Sequence, residues 1–253
     1  TSNVIVVKFD DITSITTKIK HSDTVLIDTT GLYKPIIFEV IRHSILENKK
    51  LAVVHTSAED YYPLNSDIKK LIDTQKVDDA TRFAGLMRWL DTGDEGAYCQ
   101  IKLLNGADYD PIRPTTIVGI VSPKNQRIFP ILDKKEYESI HLFVPNGKSP
   151  RDILSQTAGN IAITNYSSVR LAQFDTKDPK KVLKELSKCY TEMYIDKSSN
   201  FELSLTGSKM QAVVAAVFSS VCKVSQCWYV KPSKFDAKHF TKGVGKTNWY
   251  TIQ

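Results

Sequence analysis

A short turn late in the chain carries the residues best suited to bind a phosphate. The segment Leu205-Thr206-Gly207-Ser208-Lys209 joins a β-rich run to a helix-period run. Gly207 lets a ligand approach the main chain, and a helix start offers free N–H groups at the positive end of its dipole. Thr206 and Ser208 add hydroxyl groups and Lys209 adds a cation. The turn therefore predicts phosphate binding; the alternative is an ordinary capped helix with Ser208 as N-cap.

A second polar turn follows the strand predicted over Thr116 to Val121. In a doubly wound sheet it can lie beside the Thr206 turn, and the two would then form a cleft. The expected ligand-binding residues are Ser122, Lys124, Asn125, Arg127, Thr206, Gly207, Ser208 and Lys209. A solvated loop is the alternative for this second turn.

Other chemistries lack their sequence patterns. The five histidines show no metal-ligand spacing, so neither a metal nor a cofactor is expected. A Gly-x-Ser-x-Gly elbow and a Gly-x-Gly-x-x-Gly fingerprint are missing, which argues against a serine hydrolase and a dinucleotide-dependent oxidoreductase. The segment Gly243 to Thr247 lacks the Gly that a P-loop needs five positions before Gly245, and predicts a surface hairpin or a lid with a basic tip. Asp28 and Asp175 each end a predicted strand and could meet a ribose hydroxyl or cap a helix.

Strands alternate with helices in the second half of the chain, which indicates a mainly parallel sheet. The predicted strands are Thr116 to Val121, Ser139 to Val144, Val169 to Phe174, Phe201 to Leu205 and Gln226 to Val230. The predicted helices are Gln126 to Lys135, Pro150 to Gly159, Pro179 to Met193 and Lys209 to Cys222. This order predicts an α/β fold, a Rossmann-like three-layer sandwich with its ligand turns at the carboxyl ends of the strands.

The first half contains one clear βαβ unit: strand Thr24 to Asp28, helix Tyr33 to Asn48 and strand Leu51 to His55. A further strand over Val4 to Phe9, a helix over Asp79 to Leu90 and a strand over Tyr98 to Leu104 are also predicted. We expect an N-terminal α/β region of unknown role over 1–110 and a ligand-binding region with a basic C-terminal segment over 111–253. The βαβ unit weakly echoes the segment that runs from Phe201 through its helix to Tyr229.

Composition supports a folded and basic protein. Of 253 residues, 42% are hydrophobic, and the formal charge is +6. Six lysines against one acid follow Cys222, so this end should attract anions. The longest apolar runs are far too short to span a membrane, and the N-terminus resembles no secretory signal, which together predict a cytoplasmic protein. The four cysteines form no CxxC pair and are expected to be reduced.

The segment Phe201 to Met210, followed by a helix of small residues and the strand Cys227 to Val230, resembles the Thr-Gly-Gly-Thr-Lys-type signature of CARF domains, the CRISPR-associated Rossmann-fold sensors. Ser208 replaces the second glycine of that signature, and one position is missing before Lys209. The resemblance spans about Thr115 to Pro232. It implies a homodimer that binds a cyclic oligonucleotide across its two-fold axis, with the Ser122 and Thr206 turns of both subunits as the floor, and that switches a separate effector domain or protein.

The sequence is compatible with three functions. The first is a sensor of a nucleotide second messenger in prokaryotic antiviral defence. The second is a ring nuclease that cuts the same ligand without a metal, helped by Lys209 or Lys124. The third is a nucleic-acid-binding or interaction module, in which the C-terminal lysines and the aromatic residues Phe235, Phe240 and Trp249 hold a phosphate backbone. The helix of small residues could pack on the sheet or on its copy in a second subunit.

Overall fold

Two sheets organise the chain. The computed structural model describes residues 12–74, 94–105, 109–123, 127–235 and 240–252. The larger sheet has six strands, in the spatial order β4 (Asp94–Asn105), β9 (Gln226–Phe235), β8 (Asn200–Ser204), β5 (Thr115–Ile120), β6 (Ser139–Pro145) and β7 (Val169–Phe174). Five of these strands are parallel, and β4 pairs antiparallel with β9 at one edge.

The strand order changes direction in the middle of the larger sheet. From β5 the chain builds outward through β6 to β7, and then it returns to add β8 and β9 on the other side of β5. Every residue of β5, β6 and β8 is buried, as parallel strands covered on both faces require. The switch point therefore lies between β5 and β8, and ligands of doubly wound sheets bind just outside the carboxyl ends of such strands.

Helices cover both faces of this sheet. They are α3 (Asn65–Thr74), α4 (Phe129–Leu132), α5 (Pro150–Asn165), α6 (Pro179–Tyr190), which continues as a π-helical segment over Thr191–Asp196, and α7 (Lys209–Val221). One hydrophobic cluster joins one face to α6 and α7, and a second joins the other face to α3, α4 and α5. The expected Rossmann-like, three-layer α/β fold is confirmed.

Two predicted helices have different lengths in the structure. The helix expected over Gln126 to Lys135 is a single turn over Phe129–Leu132. The helix expected to end at Gly159 continues to Asn165, because Gly159 is a contact position and not a terminator. A side chain there would place its first carbon 2.8 Å from Val144, so the glycine lets α5 lie close to β6. The strand expected over Val4 to Phe9 and the helix expected over Asp79 to Leu90 lie outside the described residues.

The smaller sheet confirms the predicted N-terminal βαβ unit. Strand β1 (Thr24–Asp28) pairs in parallel with β2 (Lys50–Thr56), and α2 (Lys34–Leu46) connects them. The last strand, β11 (Thr247–Ile252), returns to pair antiparallel with β2. Strand β4 from the first predicted region likewise pairs with β9 of the second. Strand pairing thus crosses residue 110 in both directions.

Helix α2 joins the two sheets through contact with α7. Both helices belong to one hydrophobic cluster, which also contains α1 (Ile12–Lys20). Three large side chains of α2, those of Ile37, Phe38 and Ile41, are completely buried. Helix α7 therefore packs on the sheet and on a second helix, and both partners belong to the same chain.

A short ribbon lies beside the smaller sheet. Strand β3 (Asp60–Tyr61) pairs with β10 (Thr241–Lys242), and Gly243 adopts a positive φ of 68° directly after it. Gly245 donates its main-chain N–H to the Ser57 carbonyl, 2.8 Å away. The glycine-rich C-terminal segment therefore connects two strands that pair with β3 and β2 and not with each other. Among the described residues, no helix is long and apolar enough to cross a membrane.

The buried carboxylate of Glu202 allows the stability of the larger sheet to be tested. It is completely buried and accepts hydrogen bonds from Lys135 Nζ at 2.6 Å and Trp228 Nε1 at 2.8 Å. Replacing Glu202 with Ala would leave both donors without this partner, and we expect the free energy of unfolding to fall by about 3–5 kcal/mol. Urea denaturation followed by circular dichroism measures this loss. The control Glu136→Ala removes an exposed carboxylate nearby and should cost less than about 0.5 kcal/mol; equal losses would contradict the buried network.

Candidate functional site

The two predicted turns lie side by side at the switch point. Strands β5 and β8 are hydrogen-bonded neighbours. The Thr206 hydroxyl, which follows β8, donates to the carbonyl oxygen of Ile120 at the end of β5, 2.9 Å away. It also accepts a hydrogen bond from Ser204 at 3.2 Å. Because Thr206 is buried, its hydroxyl ties the two strand ends together and is not exposed to a ligand.

The Ser208 side chain caps α7. Its oxygen accepts a hydrogen bond from the Gln211 main-chain N–H at 3.3 Å, while the Gln211 side chain accepts one from the Ser208 main-chain N–H. The same Gln211 amide donates to the Thr176 carbonyl at 2.8 Å. Ser208 is therefore the N-cap of the helix, as in the alternative interpretation of this turn from the sequence. Ser208 is nevertheless exposed, so its hydroxyl can also be reached from solvent.

Gly207 has a structural reason to be glycine. A side-chain carbon at this position would overlap the Gln211 amide and would lie 3.3 Å from Cβ of Ile120. The close approach that the sequence predicted for a ligand is therefore made by the protein's own capping side chain. Beneath Gly207 the structure leaves a cavity of about 20 Å³, lined mainly by apolar side chains. That volume holds no more than a water-sized group, so a ligand would have to bind above the turns.

The remaining predicted residues are only partly described. Ser122 and Arg127 are half-exposed and flank the turn after β5. Lys124 and Asn125 lie outside the described residues. Among the described residues, no group of three or more His, Cys, Asp or Glu side chains is placed to hold a metal ion.

Lys209 reaches across to the N-terminal unit. Its Nζ donates a hydrogen bond to the carbonyl oxygen of Thr30, in the turn that follows β1. In the opposite direction, Lys34 Nζ donates to the carbonyl oxygen of Leu205 at 3.0 Å. Lys34 and Lys209 are the first residues of α2 and α7, and each accepting carbonyl lies four positions before the lysine of its own unit. The two βα turns therefore face each other and exchange equivalent hydrogen bonds.

Thr30 forms hydrogen bonds with three different residues at this edge of the sheets. Its main-chain N–H donates to Asp28 Oδ1 at 2.8 Å, and its hydroxyl oxygen accepts from the Thr56 main-chain N–H at 3.1 Å. Hydrogen bonds from the side chain and main chain of Thr30 lower the pKa of Asp28, so this exposed carboxyl stays ionised. Burial lowers the pKa of Lys209, and the Asp28 charge opposes that shift. An acid and an amine thus bind the same residue from two sides.

His55 completes the cluster at the end of β2. Its Nδ1 lies 2.9 Å from the Thr29 hydroxyl oxygen, and the same oxygen lies 3.1 Å from the Val54 carbonyl oxygen. With the proton directed to Val54, the imidazole donates from Nδ1 and Nε2 is unprotonated in the neutral ring; with the proton directed to Nδ1, the ring carries its own proton on Nε2. Burial and the nearby Lys209 charge lower the pKa of His55, while Asp28 raises it.

Sequence reasoning identified Lys209 but missed its partners across the cleft. Thr30, Lys34 and His55 lie more than 150 positions from Lys209, and the weak echo between the two βαβ units does not show that their turns face each other. These partners could have been sought with the rule that ligand-binding turns lie at the carboxyl ends of parallel strands, because both βαβ units have such a turn. Comparison with known proteins finds no match to a family model, a curated protein sequence or a solved structure.

The charges of this cluster can be tested through His55. Lys209→Met removes a positive charge, so we expect the pKa of His55 to rise toward 6.5. Asp28→Asn removes the negative charge that opposes this effect, and the pKa of His55 should fall further. An NMR pH titration of the imidazole signals measures both shifts, and the ¹⁵N shifts identify the tautomer. Lys184→Met, an exposed change on α6, should leave the titration unaltered; an unchanged His55 pKa in all three variants would contradict the cluster.

Proposed function

We propose that this protein is a receptor for a nucleotide second messenger, a cyclic oligonucleotide, and that it acts in the cytoplasm in prokaryotic antiviral defence. The ligand would lie over the edge between the Lys209 turn and the Ser122 turn. The observation that carries this proposal is the position of Lys209, a half-exposed amine held at the switch point of a doubly wound sheet. The defence role and the cyclic ligand rest on the resemblance of the Thr206 turn to CARF domains.

The groups at this edge suit a phosphate. The Lys209 ammonium has three N–H donors, of which one is directed to the Thr30 carbonyl. A phosphate oxygen accepts a stronger, charge-assisted hydrogen bond than a neutral carbonyl does, so a ligand can compete for this amine. The exposed Ser208 hydroxyl and the half-exposed Arg127 guanidinium supply further donors at the ends of β8 and β5. The edge thus offers cationic and hydroxyl donors to a phosphate.

A ring nuclease at the same site is the second candidate, and His55 favours it. A neutral imidazole with an unprotonated Nε2 can accept the proton of a ribose 2′-hydroxyl, and Lys209 lies close enough to influence its charge. The hydroxyl oxygen would attack the adjacent phosphorus, and the bond to the 5′-oxygen would break as that oxygen takes up a proton. The linear product would end in a 2′,3′-cyclic phosphate. Intact ligand after prolonged incubation with the protein would rule out this candidate.

Binding is tested by thermal unfolding in the presence of cyclic di-, tri-, tetra- and hexanucleotides, with linear oligonucleotides as controls. At one hundred times its dissociation constant, a ligand that binds only the folded state adds about 2.7 kcal/mol and should raise the melting temperature by about 5–10 °C. Lys209→Met should weaken binding about tenfold or more, because it removes a charge-assisted hydrogen bond.

The exposed Lys184→Met variant carries the same chemical change on α6 and should bind the ligand as the unaltered protein does. No shift with any cyclic nucleotide, or an equal shift with Lys209→Met, would overturn the proposal. A salt-dependent shift with linear nucleic acid alone would favour the nucleic-acid-binding module instead.

A further inference from the structure

Two βαβ units with matching dimensions face each other in one chain. Strands β1 and β8 each contain five residues, and helices α2 and α7 each contain 13. In both units the helix leads to a parallel strand, β2 or β9. The two helices pack against each other, and both belong to one hydrophobic cluster. The two units pack against each other as two subunits of a symmetric dimer would, although both belong to a single chain.

The two lysines that form these reciprocal hydrogen bonds, Lys34 and Lys209, differ in how deeply they are buried. Lys34 is 9% exposed and reaches the Leu205 carbonyl from the buried side of the cleft. Lys209 is half-exposed and reaches the Thr30 carbonyl at the mouth of the cleft. Lys34 therefore fixes the spacing of the two turns, whereas Lys209 is the lysine that a ligand can reach.

We propose that the turn from Asp28 to Gly31 forms the second wall of the ligand site, so that one chain binds one ribonucleotide-type ligand between its two internal halves. This inference rests on the proposed function and adds a binding role for the N-terminal unit. Thr30 and Gly31 are exposed at the mouth of the cleft, as is the Asp28 carboxylate. Both walls come from the same chain, whereas the family resemblance implies two copies.

One wall presents hydrogen-bond donors and the other wall presents an acceptor, and this difference indicates which kind of ligand fits between them. Lys209 and Ser208 on one wall suit a phosphate, whereas Asp28 on the other wall accepts hydrogen bonds. Asp28 and Lys209 both bind Thr30, one through its N–H and the other through its carbonyl. Their charged groups therefore flank a single residue, Thr30. A ribonucleotide likewise carries a hydroxyl donor beside its phosphate, and this pairing favours a ribonucleotide over its deoxyribose analogue.

The experiment compares a cyclic oligoribonucleotide with its deoxyribose analogue by isothermal titration calorimetry on the full chain. The ribose ligand used is the one that gives the largest melting shift with the unaltered protein. We expect one ligand per chain, with mass photometry showing a monomer in the presence of ligand. Asp28→Asn should weaken the ribose ligand about tenfold relative to the deoxyribose ligand, because an amide replaces the carboxylate that accepts the hydrogen bond of the ribose hydroxyl. Lys209→Met should weaken both ligands.

The matched control is Asp23→Asn, an exposed acid immediately before β1 and therefore at the opposite end of that strand. Circular dichroism establishes that each variant is folded. If Lys209→Met weakens binding while Asp28→Asn has no effect, or if one ligand binds per two chains, the second wall is overturned and the receptor function stands. If neither ligand binds the unaltered protein, the receptor function and the second wall both fail.

Discussion

The packing of α2 against α7 is the contact on which the rest of the arrangement depends. This contact holds the small sheet and the large sheet so that the turn after β1 faces the turn after β8. On the α2 side, Ile37, Phe38 and Ile41 are completely buried. Burial of each such side chain contributes about 1.5–3 kcal/mol. The buried Lys34 amine can then meet the Leu205 carbonyl, because the apolar contact has already fixed where both helices begin. Loss of this packing would separate the two walls of the cleft.

The cleft combines a rigid floor with a few adaptable groups above it. Thr206 and the capping box between Ser208 and Gln211 satisfy most of the polar groups that the phosphate-turn hypothesis assigned to a ligand. Among the groups left for a ligand are an amine and a carboxylate at the mouth of the cleft, which both bind Thr30. The fixed groups set the geometry, and the exposed groups determine which ligand can bind. An edge of this kind can recognise a charged ligand without a preformed pocket, through the Lys209 N–H donors that are not directed to the Thr30 carbonyl.

Much of the fold could be predicted because its strands are apolar runs between polar breaks. Strands Thr24–Asp28 and Val169–Phe174 have the expected bounds. The expectation for Gly159 was wrong, since a glycine inside a helix can serve close packing as well as termination. The cleft was harder to predict, because the hydrogen bond from Lys209 to Thr30 joins residues 179 positions apart. Local sequence identifies a turn and its helix, but only the packing of α2 on α7 shows which other turn faces it.

Two internal halves of the chain face each other through the hydrogen bonds of Lys34 and Lys209, and the chemical reactivity of these lysines reports whether they do. Reductive methylation of the native protein, followed over time by peptide mass spectrometry, compares Lys34, Lys209 and the exposed Lys184. Because Lys34 is 9% exposed and bonded to the Leu205 carbonyl, it should stay unmodified while the chain is folded. All three lysines should react alike in urea. Modification of Lys34 as fast as Lys184 in the native protein would contradict the facing halves.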